Sequence, residues 1–144
     1  MSALDAVVTI DGETIDAIIA HAREAAPAEC CGLLVGRVRD IRQAVRARNL
    51  ASGLNRFLID PKDHLDAARE ARRQGREIVG FYHSHPRSPA VPSETDLTEA
   101  SYPDQLHLIV SLATEPPVLR IFNIGEGGFL ELRFASIQPG SLPG

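Results

Sequence analysis

Two histidines one residue apart, His83 and His85, close the apolar run Ile78-Val-Gly-Phe-Tyr82. Alternate residues of an extended strand face the same way, so both imidazoles project from one side. A divalent metal needs that arrangement from its first two ligands. Pro86 then turns the chain away, and Asp96 follows after ten intervening residues, enough for a loop to return with a carboxylate oxygen. His83, His85 and Asp96 would fill three positions of a tetrahedral zinc site and leave the fourth to water, as hydrolytic sites require. A nitrogen–oxygen donor set without thiolate points first to zinc and leaves other transition metals open. The proton of that water needs a base outside the ligand set. Glu29 precedes a second apolar run, Cys31-Gly-Leu-Leu-Val-Gly36, and becomes that base if this run lies beside Ile78–Tyr82. Ser93 could donate a hydrogen bond to the oxyanion of a tetrahedral intermediate.

The same residues have plainer uses. A His-x-His pair can be a satisfied strand-and-turn pair. Ser93 and Asp96 match S-x-x-D, a capping box in which both serve backbone N–H groups at a helix start. A lone glutamate is ordinarily a surface carboxylate. Cys30 and Cys31 are the only cysteines and are adjacent, so they read as small buried packing residues. Sequence neighbours rarely bridge, and a reducing, cytoplasmic setting is expected. His21 and His64 on helices and His107 on a strand are expected to be structural or exposed, and Phe81 and Tyr82 to be core.

Taken jointly, Glu29, H-S-H-P at 83–86 and S-x-x-D at 93–96 resemble the JAMM (MPN+) metalloprotease family, also called Mov34/MPN/PAD-1. That family's pattern is a Glu, then H-x-H, ten residues and an Asp, with a Ser three before the Asp. The resemblance runs from the first helix to the last strand. It implies that His83, His85 and Asp96 bind zinc, that Glu29 activates water and that Ser93 steadies the transition state. It also implies a fold like that of cytidine deaminases, although the deaminase elements H-x-E and P-C-x-x-C are missing. Members of the family cleave peptide or isopeptide bonds after the C-terminal glycine of ubiquitin or ubiquitin-like proteins. Short stand-alone members include peptidases that release adducts from sulfur-carrier proteins. Only residues 97–105 separate Asp96 from the next strand, so the long insertion that grips a two-ubiquitin chain is not expected, and a minimal prokaryotic-type enzyme is. The expected partner is a ubiquitin-like or sulfur-carrier protein with a C-terminal Gly-Gly tail, lying extended beside a sheet edge. Two other readings compete: a scaffold that keeps the fold without the metal, and a hydrolase for small amide or thioester substrates. Scaffold relatives typically lack one or more of the five motif residues, all of which stand here.

The elements that must position these residues are legible from periodicity. Val7, Val8 and Ile10 suggest a first strand. Ile15, Ile18, Ile19 and Ala22 form one stripe of a helix over 13–25. Cys31–Gly36 reads as a buried strand and 38–48 as its hairpin partner. Phe57–Ile59 reads as a brief strand, and Asp60-Pro61 opens a helix that Gly75 closes. After the strand 78–82 come a short helix over 93–101 and strands at 106–112, 118–124 and 129–134. The expected class is therefore α/β (α+β mixed), one mixed sheet flanked by helices. A chain of 144 residues points to a single domain, 1–134, with a loose tail at 135–144.

Composition narrows the function classes. With 44% hydrophobic and 24% charged residues, disorder and collagen are excluded. No charge-free stretch approaches the ~18 residues of a membrane span, and residues 1–10 lack a secretory pattern. The net charge of −4 argues against nucleic acid as the main partner. Residues 37–76 nevertheless carry eleven Arg and Lys against five acids. Solvated faces explain this most simply, with a docking surface for an acidic protein as the sharper alternative.

Overall fold

A computed structural model describes residues 7–51, 57–93, 104–125 and 128–137 of the chain. Strand β1 (Val8–Asp11) runs directly into helix α1 (Gly12–Ala25). Asp11 caps the helix, its carboxylate accepting the Glu13 N–H at 3.0 Å and satisfying a donor that a helix start leaves open. The stripe read from the sequence is the buried one. Ile18 and Ala22 are fully buried, and Ile15 and Ile19 pack beside them.

The first glycine-bounded apolar run forms β2 (Cys31–Arg37), which turns into β3 (Asp40–Ala47). A Cβ at Gly36 would lie 2.0 Å from the Asp40 carbonyl oxygen, so only glycine lets this hairpin close so tightly. Helix α2 (Pro61–Arg73) starts where expected: Asp60 accepts the Lys62 N–H at 2.8 Å, Pro61 takes the first turn, and Gly75 adopts φ 71° just beyond the end. Five strands follow: β4 (Glu77–His85), β5 (Leu106–Ser111), β6 (Val118–Gly125), β7 (Gly128–Leu132) and β8 (Phe134–Ile137).

All eight strands belong to one sheet in the order β7-β6-β5-β4-β2-β3-β1-β8. The pairs β4–β5, β1–β3 and β1–β8 are parallel and the others antiparallel, so the sheet is mixed, as expected. One face curls around α1: Ile10, Leu34, Ile41, Tyr82, Leu108 and Ile121, from strands across the sheet, share one core with Ile18 and Ala22. Fully burying a side chain such as Ile18 or Leu34 contributes about 1.5–3 kcal/mol. On the opposite face, α2 lays Ala67 against Leu33 and Phe81. Alanine there allows the helix to sit close to the strands that carry the site.

Four expectations change. Phe57–Ile59 is no strand; Ile59 makes only an isolated bridge to Asn49. The strand expected to stop at Tyr82 continues through His85, because it finds backbone partners on both sides: Ser84 N–H reaches the Cys30 carbonyl at 3.1 Å, and His85 pairs with Ser111. The strand expected at 129–134 breaks at Arg133, whose carbonyl accepts the N–H groups of Val7 and Val8, both at 3.1 Å. Residues 135–137, expected to begin a loose tail, instead pair with β1 as part of β8. Most of the helix expected over 93–101, and residues 138–144, lie outside the described residues. Among those described, no helix is long and apolar enough to cross a membrane.

Candidate active site

Antiparallel pairing of β2 with β4 sets Cys31 directly across from His83. The Ser84–Cys30 backbone bond carries that pairing one residue farther, to the level of Glu29 and His85. Glu29, His83 and His85, distant in sequence, thus come together at one end of two central strands. All three are buried, at 7%, 5% and 5% exposure.

The two histidines turn toward each other, with their Nε2 atoms 3.2 Å apart. Zinc–nitrogen bonds of 2.0–2.1 Å give a tetrahedron edge of about 3.3 Å, so the spacing suits two ligands of one ion. His85 Nδ1 stands 2.8 Å from the Pro89 carbonyl. A carbonyl only accepts, so this nitrogen carries the hydrogen and the neutral ring keeps its Nε2 lone pair available. His83 is steadied differently. The Phe57 ring stacks on it with centroids 4.2 Å apart and planes 15° from parallel.

This donor chemistry fits zinc: two buried imidazole nitrogens, one of them oriented by a backbone carbonyl. The thiols of Cys30 and Cys31 are poor competitors, since burial pushes them up to about 11 and about 12 and keeps them protonated at neutral pH. Among the described residues no group of three or more His, Cys, Asp or Glu is placed to hold a metal ion. Asp96, the expected third ligand, lies outside them. Ser93 is described and exposed, at the far end of the segment that leaves β4.

Sequence reasoning missed the groups that hold these side chains. Ser84 Oγ accepts the Cys30 N–H at 2.8 Å, locking the backbone beside Glu29 to the strand between the histidines. Strand alternation could have found it, because a serine between two inward histidines faces the opposite core and needs a partner there. Asn49 donates to the Glu29 carbonyl at 3.1 Å and accepts from the N–H groups of Ala51 and Leu58, at 3.0 and 2.9 Å. It thereby ties Glu29 to the chain that presents Phe57. Nothing in residue type marks that role, nor that of the Pro89 carbonyl.

The remaining histidines pack as structural groups. His21 Nδ1 lies 2.8 Å from the Tyr82 hydroxyl, and burial followed by the Arg46 charge lowers its pKa. His64 and His107 both lie against Phe81. Much of the basic excess at 37–76 is spent on local pairs, including Arg48–Asp60 and Lys62–Asp66 at 2.8 and 2.9 Å, which favours solvated faces over a docking surface. Among the described residues β4 itself offers no open edge beside the histidines, because it is paired on both sides, by β2 and β5.

The fold and the buried pair define a class, and comparison with known proteins agrees. Residues 12–125 match the family described as prokaryotic homologs of the JAB domain, and the chain belongs to that family. It is 37% identical to the desampylase of Haloferax volcanii, over 72% of this chain and 80% of that protein. It is 31% identical to the CysO-cysteine peptidase of Mycobacterium tuberculosis, over 87% of this chain and 88% of the relative. A solution structure of a Desulfitobacterium hafniense protein superposes with a TM-score of 0.83 at 35% identity, covering 91% of this chain and 93% of that one.

Proposed function

We propose that this protein is a zinc-dependent peptidase that cuts the bond after the C-terminal glycine of a ubiquitin-like or sulfur-carrier protein. The observation that carries this reading is the buried His83–His85 pair, Nε2 atoms 3.2 Å apart, level with the buried Glu29. The desampylase and the CysO-cysteine peptidase among its relatives point to the same substrate class. Zinc dependence is general in this family, and His83, His85 and Asp96 are the residues that would hold the ion. Two unbridged, buried cysteines favour a cytoplasmic setting, and the working unit runs on past residue 134 through β8 to Ile137.

When bound, zinc supplies positive charge that makes a water acidic near neutral pH and draws electron density from an amide carbonyl. Glu29 accepts the proton of the attacking water and returns it to the departing amine. Its backbone anchors, Asn49 on its carbonyl and Ser84 on the next residue, keep it from swinging away. Ser93 donates its hydroxyl hydrogen to the oxyanion that forms on the scissile carbonyl. The low exposure of the three groups limits bulk water at the reacting bond.

Zinc-loaded protein incubated with Gly-Gly-tailed carriers bearing cysteine or a lysine-linked peptide should release the adduct, read by mass spectrometry. Glu29→Gln should keep stoichiometric zinc while kcat/KM falls by about 10²–10⁴, the usual contribution of a general base. Wild-type protein that binds no stoichiometric zinc would favour the scaffold reading instead. A Glu29→Gln protein that loses its metal would move Glu29 into the ligand set.

A further inference from the structure

Ser111 ends β5 directly across from His85 and is 2% exposed. Its hydroxyl donates to the Ser88 carbonyl at 2.6 Å and accepts the Ala113 N–H at 3.1 Å. The next residue along that loop is Pro89, whose carbonyl accepts from His85 Nδ1 at 2.8 Å. Ser88 and Pro89 are themselves exposed, so water competes for both carbonyls unless the loop is held. The buried Ser111 anchors it at Ser88, while the buried Ala90, packed with Ile109 and Phe122, and the Val91 N–H, 2.8 Å from the Pro89 carbonyl, hold its other side. The His85 main-chain carbonyl is fixed at the same level, by the Leu112 N–H at 3.1 Å.

We propose that Ser111 is a positioning residue for metal binding: by pinning Ser88 it helps keep the Pro89 carbonyl where it holds the hydrogen of His85 on Nδ1, so that the Nε2 lone pair is the one that coordinates. This rests on the reading of His85 as a ligand. The partner of His85 is a backbone atom, so no substitution of Pro89 removes it; control passes to whatever fixes the loop. A serine that merely capped the turn at 111–113 would affect stability and leave the imidazole unchanged.

Two measurements on zinc-free protein separate these roles: zinc affinity by competition with a chromogenic chelator, and the His85 tautomer from nitrogen-15 NMR of histidine-labelled protein. Ser111→Ala should weaken zinc binding about 10- to 100-fold, the range for lost outer partners of a ligand. Its His85 should also pass from a single Nδ1–H form to a mixture. Unchanged affinity together with an unchanged tautomer overturns the proposal. Should Ser111→Ala fail to fold, Ser111→Cys, similar in size and a weak donor, is read by the same two criteria. His85→Ala serves as the control. Loss of zinc there, with Ser111→Ala at wild-type affinity and wild-type tautomer, overturns this inference alone, whereas zinc retained in His85→Ala overturns the ligand assignment beneath it.

Discussion

Phe57 lies almost flat on His83, and this stack restrains the plane of the imidazole ring. Aromatic pairs of this kind are worth about 0.5–1.5 kcal/mol beyond their burial. Phe57→Ala should therefore weaken zinc binding about 2- to 10-fold by chelator competition, with the circular dichroism of the folded protein unchanged. Wild-type affinity in that variant would show that His83 holds its orientation without the ring. The difference between what could and could not be read in advance is clearest here. The buried trio Glu29, His83 and His85 was legible because the chemistry proposed for it needs particular residue types at particular spacings. Phe57, Asn49, Ser111 and the Pro89 carbonyl were not, because orienting a side chain is a job that many residue types and any backbone carbonyl can do.

Gly32 on β2 carries the demand of the site into the element beside it. A Cβ at this position would lie 2.2 Å from the Tyr82 ring, so the absent side chain is what lets Tyr82 cross the strand and reach His21. Gly32→Ala must displace the ring, an overpacking cost of about 1–3 kcal/mol. Urea unfolding should show that loss, and activity should fall with it, because Tyr82 is the residue before His83. A variant of unchanged stability would mean that the ring moves aside freely. The start of α2 and the buried strands were legible, since Asp60 and Pro61 act through their own backbone and β2 reads as one apolar run. The break at Arg133 was not: residues 129–134 hold no glycine, proline or other turn residue that would end a strand. Its carbonyl is claimed by Val7 and Val8, more than a hundred residues away in sequence.

The whole sheet depends on that break. β7 and β8 are consecutive in the chain yet occupy opposite ends of the strand order, so the segment 128–137 gives one half to β6 and the other to β1. Ending the chain at Leu132 should strip the outer partner from β1 and expose its backbone donors and acceptors. The shortened protein should unfold at lower urea and self-associate in light scattering, since an uncovered strand invites pairing with another chain. Equal stability of the two forms would show that β8 only decorates the sheet.

The strand bearing the histidines sits fourth of eight, its backbone valences already spent on neighbours to left and right. Nothing can zip onto it sideways. Whatever is to be cut must come over the sheet face or past the tips of the strands, to imidazoles that scarcely see solvent. A bond running across the surface of a compact protein never reaches that depth, but a thin, dangling terminus does. The enzyme would thus spare the rest of the proteome through reach alone, before any side chain of the victim is read.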